Sequence, residues 1–195
     1  MENEMKALAM KRTIVVTGLL GAGSIALAGC SSSSSSIDWT KEIDAVSQMG
    51  SGAKSVSMFK TEDGKVLCFS EPDSSTGCTI VEGKFVPENT SVDFGCSKKK
   101  GDAESPGVVI GIRRSGHLCW WNRSGGTKEL TADDVGNVET IDRRRGATLD
   151  SASGPVVCKA LKRSSVLCVT ESKSKGWVIS PKRFEYIKNG DIETY

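Results

Sequence analysis

The sequence predicts a mainly β fold: a small antiparallel, disulfide-stabilised β domain built from hairpins, with a short N-terminal helix ahead of it. Three observations carry this reading. Apolar residues come in short runs separated by Gly, Ser and Asp turn signals, the pattern of many brief strands. Beyond Cys30 the chain holds six further cysteines, an even set suited to internal bridges. The composition, 37% hydrophobic and 26% charged, fits a globular domain and excludes collagen, a long coiled coil and a multi-span membrane protein. With 26 basic and 24 acidic residues the formal charge is +2, so no basic stripe argues for nucleic-acid binding.

Residues 1–29 read as a signal peptide. Lys6, Lys11 and Arg12 precede an uncharged apolar run from Thr13 to Leu27, which closes on Leu27-Ala28-Gly29-Cys30. The run is too short for a spanning helix, which needs about 20 apolar residues. Cysteine directly after Ala-Gly resembles the lipobox of bacterial lipoproteins. That resemblance implies cleavage just before Cys30 and a diacylglyceryl group on its thiol; an ordinary signal peptide with an incidental cysteine is the competing reading. Met10-Lys11-Arg12 also reads as a natural start, which would make residues 1–9 an extension. Gly18-Leu19-Leu20-Gly21-Ala22-Gly23 looks superficially like a phosphate loop, but it lies within the leader. Ser31 to Ser36 form an unbroken serine run, and such a tract cannot bury apolar surface, so residues 30–36 read as a lipidated tether.

Residues 37–54 read as a linker or short helix. Ile43, Val46 and Met49 share helical spacing, with Asp38 as N-cap and Ile37 just ahead of it. The β domain follows over 55–195. Val56, Met58 and Phe59 lead into the turn Glu62-Asp63-Gly64 and then Val66 to Phe69. Cys78 to Val81, the turn Glu82-Gly83 and Lys84-Phe85-Val86 read as a second hairpin. Val108 to Ile112, Ser115-Gly116 and His117 to Trp121 read as a third. Val156-Val157 and Val166-Leu167 flank a polar turn centred on Arg163, and Trp177 to Ile179 reads as a further strand. Lys128 to Asp150 is charged and weakly patterned, a long excursion with at most one short helix near Thr131 to Val135.

In an exported domain, Cys68, Cys78, Cys96, Cys119, Cys158 and Cys168 read as three disulfides. Metal-binding spacing of the C-x-x-C kind is missing from the sequence. Cys158 and Cys168 fall opposite each other in a hairpin centred on Arg163, and Cys68 and Cys78 have the same spacing around Glu71-Pro72-Asp73-Ser74-Ser75. Cys96 and Cys119 are then left over. Spacing favours this set among the fifteen connectivities without fixing it. Leu67-Cys68, Leu118-Cys119 and Leu167-Cys168 recur at intervals of 51 and 49 residues, a weak internal repeat.

Phe59-Lys60-Thr61-Glu62-Asp63-Gly64-Lys65-Val66-Leu67-Cys68 resembles F-x-S-P-S-G-N-I-x-C, a pattern of secreted and lipidated actinobacterial domains of unknown function. Phe59, Gly64 and Cys68 match, Thr61 and Val66 are close, and Glu62, Asp63 and Lys65 depart from it. Cys78-Thr79-Ile80 is similar to that group's C-D-I. Val166 to Cys168, then Gly176-Trp177-Val178-Ile179-Ser180 through Phe184 and Tyr186, resembles its closing pattern. The resemblance spans about residues 57–187. It implies an exported, disulfide-stabilised domain in a Gram-positive envelope and carries over no catalytic residues.

Candidate chemistry is sparse. His117 is the single histidine, so any Ser-His-acid or Cys-His machinery must use it, yet it sits in an apparent strand without a G-x-S-x-G elbow. Ser172-Lys173-Ser174-Lys175 is the nearest Ser-Lys string and reads as a solvated loop. The carboxylate pairs Glu62-Asp63 and Asp133-Asp134 lie in polar turns. Lys98-Lys99-Lys100 and Arg143-Arg144-Arg145 are the densest basic clusters, each diluted by neighbouring acids. Trp120 and Trp121 must face opposite sides of a strand. With Cys119 and its bridge placed in the core, Trp121 shares that face. Trp120 then points outward as the ligand-contact candidate, a stacking platform unless the excursion covers it.

These readings predict a lipoprotein on the outer face of the cell membrane, displaying a non-enzymatic binding or interaction module. They call for no cofactor and no metal. The expected partners are the membrane, through the lipid on Cys30, and an envelope protein or polymer. The rival from another class is an extracytoplasmic hydrolase acting on envelope material; a third reading is a small inhibitor or scaffold subunit.

Overall fold

The computed structural model describes residues 37–50, 52–71, 75–83, 96, 107–123, 129–162 and 164–193. The expected leader, Cys30, the expected serine tether, the expected strand Lys84-Phe85-Val86 and Lys98-Lys99-Lys100 lie outside them. Among the described residues no helix is long and apolar enough to cross a membrane.

Helix α1 spans Trp39–Gln48, with Asp38 as its N-cap: the Asp38 carboxylate accepts from the Lys41 amide at 3.2 Å. Twelve strands follow: β1 (Lys54–Ser55), β2 (Met58–Lys60), β3 (Val66–Ser70), β4 (Thr76–Ile80), β5 (Val108–Ile112), β6 (Leu118–Asn122), β7 (Ala147–Leu149), β8 (Val156–Lys162), β9 (Ser165–Thr170), β10 (Lys175–Ser180), β11 (Arg183–Lys188) and β12 (Asp191–Glu193). They form two sheets, one of seven strands in the order β1-β7-β8-β9-β10-β11-β12 and one of five in the order β2-β3-β4-β5-β6. All pairings within the sheets are antiparallel except β1 with β7.

Period-two alternation sorts the side chains into three apolar layers. Between the sheets lie Phe59, Val66, Cys68, Cys78, Ile110, Trp120, Cys158, Cys168, Trp177 and Tyr186. The outer face of the large sheet, with Val157, Leu167, Val169, Val178 and Ile187, is covered by Ile43 and Val46 of α1. The outer face of the small sheet, with Leu67, Phe69, Val109, Cys119 and Trp121, is covered by Leu130 and Val135 of the 129–138 segment. Both sheets are therefore buried on both sides, which explains near-continuous apolar strings such as Val108 to Ile112.

The expected bridges are present: Cys68–Cys78, Cys96–Cys119 and Cys158–Cys168, with Cα separations of 4.0, 5.6 and 4.1 Å. Cys68 pairs directly with Cys78 across β3 and β4, and Cys158 with Cys168 across β8 and β9. Both bridges point inward and stack in the centre of the sandwich, where Cys78 Sγ lies 3.9 Å from Cys168 Sγ. The Trp177 indole N–H donates to Cys78 Sγ at 3.2 Å and closes this cluster.

Strand β4 pairs with β3 on one side and β5 on the other, while the strand expected after Glu82-Gly83 lies outside the described residues. Two expectations need correction. The expected short helix near Thr131 is instead a chain of turns, with the Val135, Gly136 and Val138 amides each bonded to the carbonyl three residues back. Most consequentially, Trp120 does not point outward. It is 6% exposed in the inter-sheet core, while Trp121, 4% exposed, lies beside Cys119 on the outer face of the small sheet. The outward assignment assumed that the Cys119 bridge faces the central core as the other two do. The register Ile110↔Trp120 and Gly111↔Cys119 turns it the other way.

Candidate functional site

The side chains singled out from sequence do not converge. Trp120 is enclosed between the sheets and offers no ligand surface. Trp121 lies under Leu130 and Val135, its indole N–H donating to Glu71 Oε2 at 3.3 Å, with the Arg113 guanidinium 5.0 Å from the ring centre. Glycine makes that packing feasible. Gly77 and Gly111 pair across β4 and β5 beneath the ring, and a Cβ on Gly77 would come within 3.0 Å of Trp121 Cη2. His117 is exposed beside the β5-β6 turn, where its carbonyl accepts from the Arg113 amide.

The Ser-Lys string is structural in the same way. Lys173 bonds Asp44 of α1 at 2.6 Å, Lys175 bonds the Gly116 carbonyl, and the Ser172 and Ser174 hydroxyls bond each other at 2.7 Å. Asp134 accepts from the Thr131 amide and hydroxyl at 2.9 Å. In the arginine run, Asp142 accepts from the Arg144 and Arg145 amides at 2.7 and 2.8 Å. Those amide bonds, first among the causes, hold its carboxyl below the ordinary range.

Two of the concave surfaces among the described residues bear on binding. One, of about 440 Å³, lies between the end of α1 and the Glu139 to Ala147 segment. Its lining mixes both signs: Lys54 binds both Glu139 oxygens at 2.9 and 2.7 Å, and Asp142, held by the Arg144 and Arg145 amides, lies beside those two arginines. The other, of about 650 Å³, is different in kind. Its apolar side is Ile37, Trp39, Leu161 and Val178, and its charged side chains are Lys65, Arg143, Lys162 and Lys182, with no carboxylate in the lining. These four cations are exposed, and among the described residues none has an ion-pair partner.

Local structure brings this groove together from distant positions. The Asp38 cap sets Ile37 and Trp39 at the open end of α1. A register shift between Ala160 and Lys162 interrupts β8 where it meets β9, at the two residues, Leu161 and Lys162, that line the groove. Lys182 comes from the β10-β11 turn and Lys65 from the turn before β3. Asp63 holds that last turn against the β8-β9 hairpin: it accepts from the Thr61 hydroxyl at 2.9 Å, the Lys65 amide at 3.2 Å and the Ser164 hydroxyl. Burial pulls the Asp63 carboxyl upward, but the Ser164, Lys65 and Thr61 hydrogen bonds outweigh it and keep the group below its ordinary value. A carboxylate so held is a weak base, so it orients Ser164 rather than activating it as a nucleophile.

Of the groove's cations only Arg143 stood in a visible basic run. Lys65 stands alone, Lys162 and Lys182 each precede an arginine in or beside separate turns, and no spacing rule joins the three. Compared with protein-family models, curated proteins and solved structures, the chain matches none.

Proposed function

We propose that this chain is an envelope lipoprotein, anchored at the outer face of the cell membrane through acyl chains on Cys30, and that it displays a non-enzymatic binding module. The leader and the Ala28-Gly29-Cys30 junction support the anchor. Three bridged cysteine pairs support an oxidising compartment. The observation that carries the binding reading is the Trp39 groove: an apolar wall faced by four exposed cations that, among the described residues, form no ion pair suits a ligand with negative charge and some apolar surface.

Cell fractionation of Cys30→Ala tests the anchor. The variant should leave the membrane fraction or accumulate as unprocessed precursor, because a lipid-modified cysteine is what holds the wild type there. A variant that fractionates and migrates like wild type contradicts the reading.

A further inference from the structure

We infer that the Trp39 groove is a membrane-docking surface that receives the phosphate headgroups of anionic phospholipids in the leaflet where Cys30 is anchored. The inference rests on the lipoprotein reading and adds which face of the domain meets the membrane, and through what chemistry.

Chain length places the groove. Seven residue steps separate Cys30 from Ile37, and an extended chain covers at most about 3.6 Å per step, so Ile37 stays within about 25 Å of the lipidated cysteine. Ile37 is itself part of the groove wall. The wall that carries Ile37, with Lys65, Arg143, Lys162 and Lys182 around it, is thus tethered within that distance of the lipidated cysteine.

Charge and side-chain type agree with that placement. Anionic leaflets attract basic side chains within a Debye length, about 8 Å at physiological salt, and the cations outnumber the nearby acids: Asp63 acts on Lys65, and Glu42 of the adjoining hollow is bonded to Lys159. Ile37, 37% exposed, is one of two large hydrophobics left open among the described residues. Half-buried Trp39 adds an indole of the amphipathic kind that settles at headgroup level. A soluble anionic polymer would satisfy the lysines, but it gives no reason for an open isoleucine and an indole where the tether enters.

Residues 36–195 form a compact unit of their own, so the test uses unlipidated residues 31–195. The protein is sedimented with vesicles of phosphatidylglycerol and phosphatidylcholine in equal parts, and with phosphatidylcholine alone. Binding to the anionic vesicles is expected, weakening as salt rises, with a blue shift in tryptophan emission that Trp39→Phe removes; Trp120, Trp121 and Trp177 are already buried. Each cation near an anionic surface contributes about fivefold, so Lys65→Glu with Lys162→Glu and Lys182→Glu should weaken binding at least about 100-fold. A matched variant, Arg114→Glu with Arg145→Glu and Lys188→Glu, should fall far less, and thermal melts of both variants establish that they are folded. Equal losses in the two variants, equal binding to both vesicle types, or binding to soluble polyglycerol phosphate but not to vesicles would each overturn the proposal. The assay needs no lipid on Cys30, so its failure is distinct from failure of the anchor in Cys30→Ala cells.

Discussion

The Cys68–Cys78 and Cys158–Cys168 hairpins behave as a pair, whereas the β5-β6 hairpin, which shares their Leu-Cys signature, behaves oppositely. In the first two the cysteine lies inward and the leucine outward: Cys68 and Cys168 meet in the inter-sheet core, while Leu67 and Leu167 line the outer layers. In β6 the parity is reversed, with Trp120 inward and Cys119 outward. A cysteine joined across its own hairpin can sit in a dry core. Cys119 must instead meet Cys96, which is exposed, so its bridge faces the outside of the small sheet. A bridge partner's location, rather than a dipeptide motif, decides which way a strand faces.

The comparison is tested most severely at the tryptophans. Trp177→Ala opens a cavity between two sheets that cannot close around it and should cost about 3–5 kcal/mol in a denaturant melt. Trp121→Ala should cost less, because the irregular 129–138 cover can settle into the space. The reverse ranking would mean that the small sheet's outer layer, and not the paired bridges, is the mechanical centre. Gly111 gives the next effect. A Cβ there would run into the Thr76 carbonyl and the Gly77 Cα, so Gly111→Ala should lose about 1–3 kcal/mol. An unchanged melting temperature would show that β4 and β5 are less closely apposed beneath Trp121.

Asp63 sharpens the comparison from the solvent side, since it links the turn before β3 to the hairpin of the second bridge through Ser164. Its carboxyl is lowered from the ordinary 3.8, so the folded state favours the charged form. That contribution is present above the unfolded value and is lost as pH falls through the folded one. Asp63→Asn should therefore destabilise the domain by less than about 1 kcal/mol near neutral pH, the side chain being only partly buried. Its melting curve should converge with the wild type's in acid. A gap that widened in acid would contradict the stated sign.

The β2-β3, β5-β6 and β8-β9 hairpins, Asp38 as a cap and the cysteine pairs were legible in the sequence because each is set by local spacing and turn chemistry. Strand β7 was not: it has only three residues, Ala147–Leu149, inside a charged stretch, and forms because β8 offers it a ladder. Parity at Trp120 failed because both faces of β6 are buried, so polarity gave no signal of which side is inner. The groove was illegible for a related reason. Its cations come from turns that only the β8 irregularity, the Asp63 hydrogen bonds and the start of α1 bring together.

Mass spectrometry of the protein extracted from membranes and digested without reduction addresses anchoring and covalent framework at once. An N-terminal peptide beginning at Cys30 and carrying a diacylglyceryl group is predicted, together with linked peptides joining Cys68 to Cys78, Cys96 to Cys119 and Cys158 to Cys168. A chain that retains residues upstream of an unmodified Cys30, or that yields these six cysteines as free thiols, would contradict the account.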